Sequence, residues 1–289
     1  MSLLQKSAML VTLVISQWTA RKYDKKVTTE VESLYKVKDA GRYNKKLVES
    51  DKLDAIQKIA GRIRIFHYDN TLPWDNEGAR LLPTGNYMNY MKEITVLNNQ
   101  FNDAVQNFYN DYDRILADAS LRLKELYVPA NYPSKEKVRQ AFAIKIETRP
   151  VEDPDHFVLS IAEKENNLLR KELEERNSQK IKRAADSLME RFEESISLIV
   201  RRIEDNSVFR DSLINNLKSL METAPKLNFF DDSRIGSIID RCKNIVKYTP
   251  VSVRESVPIR QEIVKNATET LRFIGNIRDV LTKQNFSKI

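Results

Sequence analysis

A mainly α fold is predicted: a long antiparallel, coiled-coil-like helical pair, a C-terminal helical bundle, and a small β-sheet from residues 8–15, 142–148 and 157–161. Three observations carry that expectation. Charged residues make up 31% of the 289, with only 6 Gly and 9 Pro, a mix that favours long helices over turn-rich sheets. From Tyr87 through Tyr90, Ile94, Leu97, Phe101, Ala104, Phe108, Tyr112, Ile115, Ala119 and Leu123 to Leu126, apolar residues recur at gaps of three or four. That is one stripe of a helix over 85–127, roughly 60 Å long at 1.5 Å per residue. A second stripe runs through Leu169, Leu173, Ile181, Ala184, Leu188, Phe192, Ile196, Ile199 and Ile203, broken once by Asn177. The economical way to cover two such stripes is to pack them on each other as an arm.

In chain order, Ala8 to Ile15 is an apolar run rich in Val, Leu and Ile. It is far shorter than the roughly 20 residues of a membrane-spanning helix and lacks a good cleavage context, so it is expected to be a buried strand. Between Gln17 and Val48 lie nine cations, Arg21, Lys22, Lys25, Lys26, Lys36, Lys38, Arg42, Lys45 and Lys46, against four acids, with Trp18, Tyr23, Tyr35 and Tyr43 interleaved. Cations with aromatics can hold a nucleic-acid strand through phosphate contacts and base stacking. The alternative is a short helix that buries Val31, Leu34 and Tyr35 while its lysines face water. Ser50 then caps a helix carrying Leu53, Ile56, Ile59, Ala60 and Ile63. Near-alternation over Arg62–Tyr68 points to an extended segment, and the punctuation of Asp69 to Pro83 to a loop. Thr84 is the expected cap of the first long helix.

Ser134 starts a short helix, and Phe142–Thr148 and Phe157–Ile161 read as strands joined across a Pro-containing acidic turn. After the second long helix, Phe209, Leu213, Leu217 and Leu220 mark a helix ending before Pro225. Asp232 caps the next, with Ile235, Ile238, Cys242 and Ile245. The last starts at Ser256 with Pro258 in its first turn and reaches Leu281, with Gly275 allowing close packing. The domains expected are 1–161, 162–204 and 205–289.

Chemistry is sparse. The chain has no Gly-rich phosphate loop, dinucleotide fingerprint, nucleophile elbow or paired histidines at helical spacing. His67, Asp69, Asp75 and Glu77 are the one set a loop could gather round a divalent cation. Asp-rich loops and packed histidines explain them more simply. Glu152, Asp153, Asp155 and His156 read as a solvated turn. The expectation is therefore a protein that is not an enzyme, with no metal and no cofactor. One cysteine, Cys242, falls on an apolar stripe and cannot form an internal disulfide, in keeping with a reducing cytoplasm. Net charge is +7, but 48 basic and 41 acidic residues are interspersed, so composition alone argues weakly for a polyanion.

Trp18-Thr19-Ala20-Arg21-Lys22, Arg80-Leu81-Leu82-Pro83, the helix with Phe101, Phe108 and Tyr112, Leu126-Tyr127 and Tyr132-Pro133-Ser134 occur in a familiar order. Over residues 8 to 160 the chain resembles an uncharacterised family of helical proteins of tailed phages and conjugative elements. That family is often encoded near MoxR-type AAA+ ATPases and von Willebrand A domain proteins. The resemblance implies a mobile-element module in the host cytoplasm, in which a ring ATPase remodels a partner, and it brings no catalytic residues. The leading expectation is a helical interaction protein that docks protein partners or its own copies, with no membrane role. The alternative is a nucleic-acid binder using the nine cations.

Overall fold

The computed structural model describes residues 3–152, 163–205 and 207–286. The elements in order are α1 (Leu3–Ser7), β1 (Ala8–Ser16), β2 (Arg21–Tyr23), α2 (Lys25–Tyr35), β3 (Asn44–Lys46), α3 (Asp51–Asp69), β4 (Leu72–Pro73) and β5 (Ala79–Pro83). Then come α4 (Tyr87–Asn110), α5 (Tyr112–Leu123), α6 (Lys135–Gln140), β6 (Ala143–Pro150), α7 (Glu163–Glu204), α8 (Asp211–Leu227), α9 (Ser233–Ile245), α10 (Pro250–Glu255) and α11 (Val257–Phe286). The protein is thus mainly α with a small antiparallel sheet, as its composition and periodicity predict. Among the described residues, no helix is long and apolar enough to cross a membrane.

The chain divides into two units: residues 1–12, 67–90 and 147–289 form the first, residues 13–66 and 91–146 the second. In the first, the stripe of α7 is buried with α8, α9 and α11: Leu188, Phe192, Ile196 and Ile199 share a cluster with Ile214, Leu217, Ile238, Cys242, Ile263 and Ala267. α7 packs chiefly on α11 and α8. The cluster also takes in Ala8 and Leu10 of β1, Leu72 of β4 and Leu81 of β5. A sheet of order β4-β5-β1-β6 supplies those residues, with β1 antiparallel to β5 from Ala8↔Pro83 to Thr12↔Ala79.

In the second unit the mate of α4 is α3. Arg62 Nη1 donates to Gln100 Oε1 at 3.2 Å, and Lys52 is ion-paired with Asp111, so rising numbers on α3 meet falling numbers on α4. Leu53, Ile56, Ala60 and Ile63 of α3 are buried, as are Ile94, Leu97, Phe101, Phe108, Tyr112 and Ile115 of α4 and α5. The pair expected from 85–127 and 162–204 is therefore corrected: Arg62–Gln100 and Lys52–Asp111 set α4 antiparallel to α3 in the second unit. The second long helix, assigned to that pair by the sequence, belongs to the bundle of the first unit. An apolar stripe specifies that it must be covered without specifying by what.

Other expectations are corrected. The helix over 85–127 is interrupted at Asp111, whose carboxylate serves Lys52 and leaves α5 without a side-chain cap, and it ends at Leu123. Residues 62–68 continue α3 as helix, since Ile63 and His67 keep four-residue spacing onto one buried face. Two short strands lie in the supposed loop 69–83. Thr84 does not cap α4; its hydroxyl donates to the Lys6 carbonyl at 3.1 Å. Helix α8 runs past Pro225 to Leu227. Gly275 is exposed and nothing lies within 4 Å of where a Cβ would stand, so close packing is not its role. Asp232 does cap α9, accepting from Arg234 N at 3.0 Å. The expected strand 157–161, and Asp153, Asp155 and His156 of the acidic turn, lie outside the described residues.

Candidate interaction surface

The basic stretch folds as one small substructure of the second unit. Strands β2 and β3 pair antiparallel, Arg21↔Lys46, Lys22↔Lys45 and Tyr23↔Asn44, with α2 between them in the chain. Asp24 organises it. Its Oδ1 accepts from Val27 N at 3.3 Å as the cap of α2, its carbonyl accepts from the Thr28 hydroxyl at 2.8 Å, and Thr28 Oγ1 accepts from Tyr43 N at 3.1 Å. At the other end of α2, Lys36 takes a left-handed conformation at φ 54°, and Val37 N donates back to the Glu32 carbonyl at 3.1 Å. Asp39 N then donates to Glu32 Oε1 at 2.8 Å. These bonds turn residues 36–43 back along the helix.

The nine cations fare unequally. Lys45 is 1% exposed; its ammonium donates to Asp24 Oδ2 at 2.8 Å and to the Leu126 carbonyl at 2.7 Å. It is a structural clamp, and a phosphate cannot reach it. That lysine bond, first among the causes, holds the Asp24 carboxyl below its usual range. The other eight are exposed. Lys26 faces Glu30 at 4.0 Å and Lys46 faces Glu49 at 3.2 Å, whereas Arg21, Lys22, Lys25, Lys36, Lys38 and Arg42 have no ion-pair partner among the described residues. Arg42 lies 6.0 Å from the centre of the Tyr23 ring. Trp18 is withdrawn from any stacking role by packing on Phe108 and Tyr112, with ring centres 6.3 and 6.1 Å away.

Replacing Lys45 by methionine is therefore expected to cost about 1–3 kcal/mol, because Asp24 and the Leu126 carbonyl lose their partner. Lys22→Ala, fully on the surface, stays within about 0.5 kcal/mol. Thermal melts compare them, and equal losses would contradict the assignment.

The apolar residues of α2 run against the bland expectation. Val31 is 46%, Leu34 75% and Tyr35 71% exposed, and in this helix only Thr28 is buried. With Val37, Ala40, Gly41, Arg42 and Tyr43 of the returning loop, Thr28, Val31, Glu32 and Tyr35 line a concave, mainly apolar pocket of about 310 Å³. Sequence spacing shows that Val31, Leu34 and Tyr35 share a face. What it cannot show is that a short helix followed by a tight turn finds no second layer.

The residues considered for metal chemistry are not gathered. His67 is buried, with Nδ1 2.7 Å from Tyr90 Oη, and burial, then the charge of Arg80, lowers its pKa to about 4. Asp75 builds its own turn, accepting from Glu77 N and Ala79 N at 3.0 and 2.9 Å, and meets Arg149 at 3.3 Å. Among the described residues no group of three His, Cys, Asp or Glu could hold a metal ion. The polar centre here is structural and was not legible in the sequence. Arg80 donates to Thr71 Oγ1 at 2.7 Å and to its carbonyl at 3.0 Å, and Arg191 donates to the same carbonyl at 2.6 Å. The two guanidiniums close the end of α3, where Arg191 also reaches the Asp69 carbonyl at 3.3 Å. Cys242 is buried as its stripe position implies, and burial pushes its thiol up to about 12.

The family model described as Protein of unknown function (DUF3150) matches residues 5–276, nearly the whole chain. The chain belongs to the DUF3150 family. No curated protein and no solved structure matches it. The arrangement that residues 21–46 of this DUF3150 member offer is a candidate binding face: an exposed, mainly apolar pocket with Glu32 and Arg42 in its lining, in a substructure where cations outnumber acids nine to four.

Proposed function

We propose that this DUF3150 protein is a non-enzymatic interaction protein that docks a protein partner, or a second copy of itself, through residues 21–46. One observation carries the reading: α2 presents Val31, Leu34 and Tyr35 to solvent at 46–75% exposure although their spacing is that of a buried stripe. The sequence resemblance suggests the setting, a phage or other mobile element in the host cytoplasm with a MoxR-type ring ATPase as partner. The test is a pull-down from host cells with wild-type protein and with Leu34→Asp/Tyr35→Asp, alongside light scattering across a concentration series. A protein, or a dimer, held by the wild type and lost from the variant is expected. Identical capture and identical mass for both would count against the proposal.

A second reading, single-stranded nucleic acid, is favoured by Arg21, Lys22, Lys25, Lys36, Lys38 and Arg42, exposed and without an ion-pair partner among the described residues, together with the exposed Tyr23, Tyr35 and Tyr43. Filter binding of an oligonucleotide across salt tests it. If six phosphates are contacted, log affinity falls with log salt at a slope of about −4. Binding absent at low salt ends that reading.

A further inference from the structure

We infer that the pocket between α2 and residues 36–43 takes an acidic protein segment bearing one large apolar side chain; this rests on the docking role proposed above and names the partner's chemistry. Three features converge on it. The first is size: about 310 Å³ lies at the small end of ligand pockets, room for one or two side chains and too little for a folded surface. The second is lining. Val31, Val37 and Ala40 contribute aliphatic wall, and Tyr35 and Tyr43 add aromatic surface to the lining. An anchor entering there removes apolar surface from water on both sides.

The third is charge. Residues 21–46 carry nine cations against four acids, a surplus that makes up most of the chain's +7. Of the acids, Asp24 is held by Lys45 and Glu30 faces Lys26; Glu32 in the pocket lining and Asp39 in the returning loop stand against Arg42 in the lining and Lys36 and Lys38 of the same loop, none of these three cations having an ion-pair partner among the described residues, so the rim keeps a surplus of one cation within a substructure whose surplus is five. A segment with Asp or Glu flanking its anchor meets that rim with opposite sign, which sets register and speeds encounter. A nucleic-acid strand fits less well. Its bases need successive flat aromatic platforms, and here the aromatics are walls of one aliphatic cavity.

The test uses the full chain and fluorescein-labelled synthetic peptides of about twelve residues in anisotropy titrations. One peptide is Asp/Glu-rich with a central Phe, one replaces that Phe by Ser, and one keeps Phe in a Ser/Gly background; an oligo-dT of similar length is the fourth probe. The acidic Phe peptide is expected to bind at least about tenfold more tightly than either control peptide. Val31→Glu and the triple variant Lys36→Glu/Lys38→Glu/Arg42→Glu should each remove that preference while the melting temperature holds, since the residues are exposed. Equal binding of the Phe and Ser acidic peptides would overturn the anchor, and tighter binding of oligo-dT would overturn the protein class. No peptide binding, with partner capture still lost in Leu34→Asp/Tyr35→Asp, would overturn this inference and leave the docking role standing.

Discussion

Truncating Phe192 to alanine is expected to destabilise the first unit by about 3–5 kcal/mol. Phe192 is fully buried in α7, in the cluster that holds α8, α9 and α11 together. Removing the ring loses the transfer free energy of its carbons and leaves a cavity that four helices must partly collapse to fill. Such a loss is a large fraction of a domain's total stability. Amides of α8 and α11 followed by hydrogen exchange report on this unit directly, which avoids fitting the chain as one transition. Their protection should fall by two to three orders of magnitude, about 1.4 kcal/mol for each factor of ten. Val208→Ala, at a side chain 77% exposed, should leave them within about 0.5 kcal/mol. A Phe192 effect below about 1 kcal/mol would mean that α7 is not the centre of the bundle.

Lowering the pH from 7 should weaken the same unit through His67, although Asp69, whose carboxyl is raised by burial, acts in the opposite sense at the acid end of the window. His67 is 3% exposed, and its pKa is lowered from 6.5 to about 4, first by burial and then by Arg80. Between those two values the unfolded chain takes up a proton that the folded chain refuses, so stability falls as pH drops from about 6.5 toward 4. The loss over that window is about 3 kcal/mol, at about 1.4 kcal/mol per pH unit of difference. Carboxyl groups held low by partners, such as Asp24, act in the same sense as His67 but in another window: their contribution is full above the unfolded value of 3.8 and is lost below it. His67→Gln, which cannot take up the proton, should flatten the profile from pH 6.5 to 4. Denaturant titrations at successive pH values measure this, and an unchanged slope in the variant would show that another group is responsible.

What the residues revealed in advance, and what they did not, divides along physical lines. The stripe from Tyr90 to Ile115 and that from Leu173 to Ile203 were legible because a 3.6-residue period is a property of one helix alone. Their mates were not, because Ile56 and Ile263 are equally good cover for a Phe. Strand β5 was hidden by its length and by Pro83, and β2 and β3 by having no alternation to show. Lys45 and Lys46 are adjacent and chemically identical; only Asp24 and the Leu126 carbonyl, distant in sequence, decide that one is a buried clamp and the other a surface charge. The exposure of Leu34 and Tyr35 is a fact about what fails to cover them, and no local pattern encodes it.

Among the described residues, the apolar face of α2 has no mate within the chain. Hydroxyl-radical footprinting of the monomeric fraction, read residue by residue by mass spectrometry, tests it most directly. Scaled to the intrinsic reactivity of each residue type, Leu34 and Tyr35 should be oxidised to the same extent as Leu121, itself 76% exposed, while Phe192 and Tyr90 stay protected. Protection of Leu34 and Tyr35 at the level of Phe192 in a chain with no partner present would contradict the account.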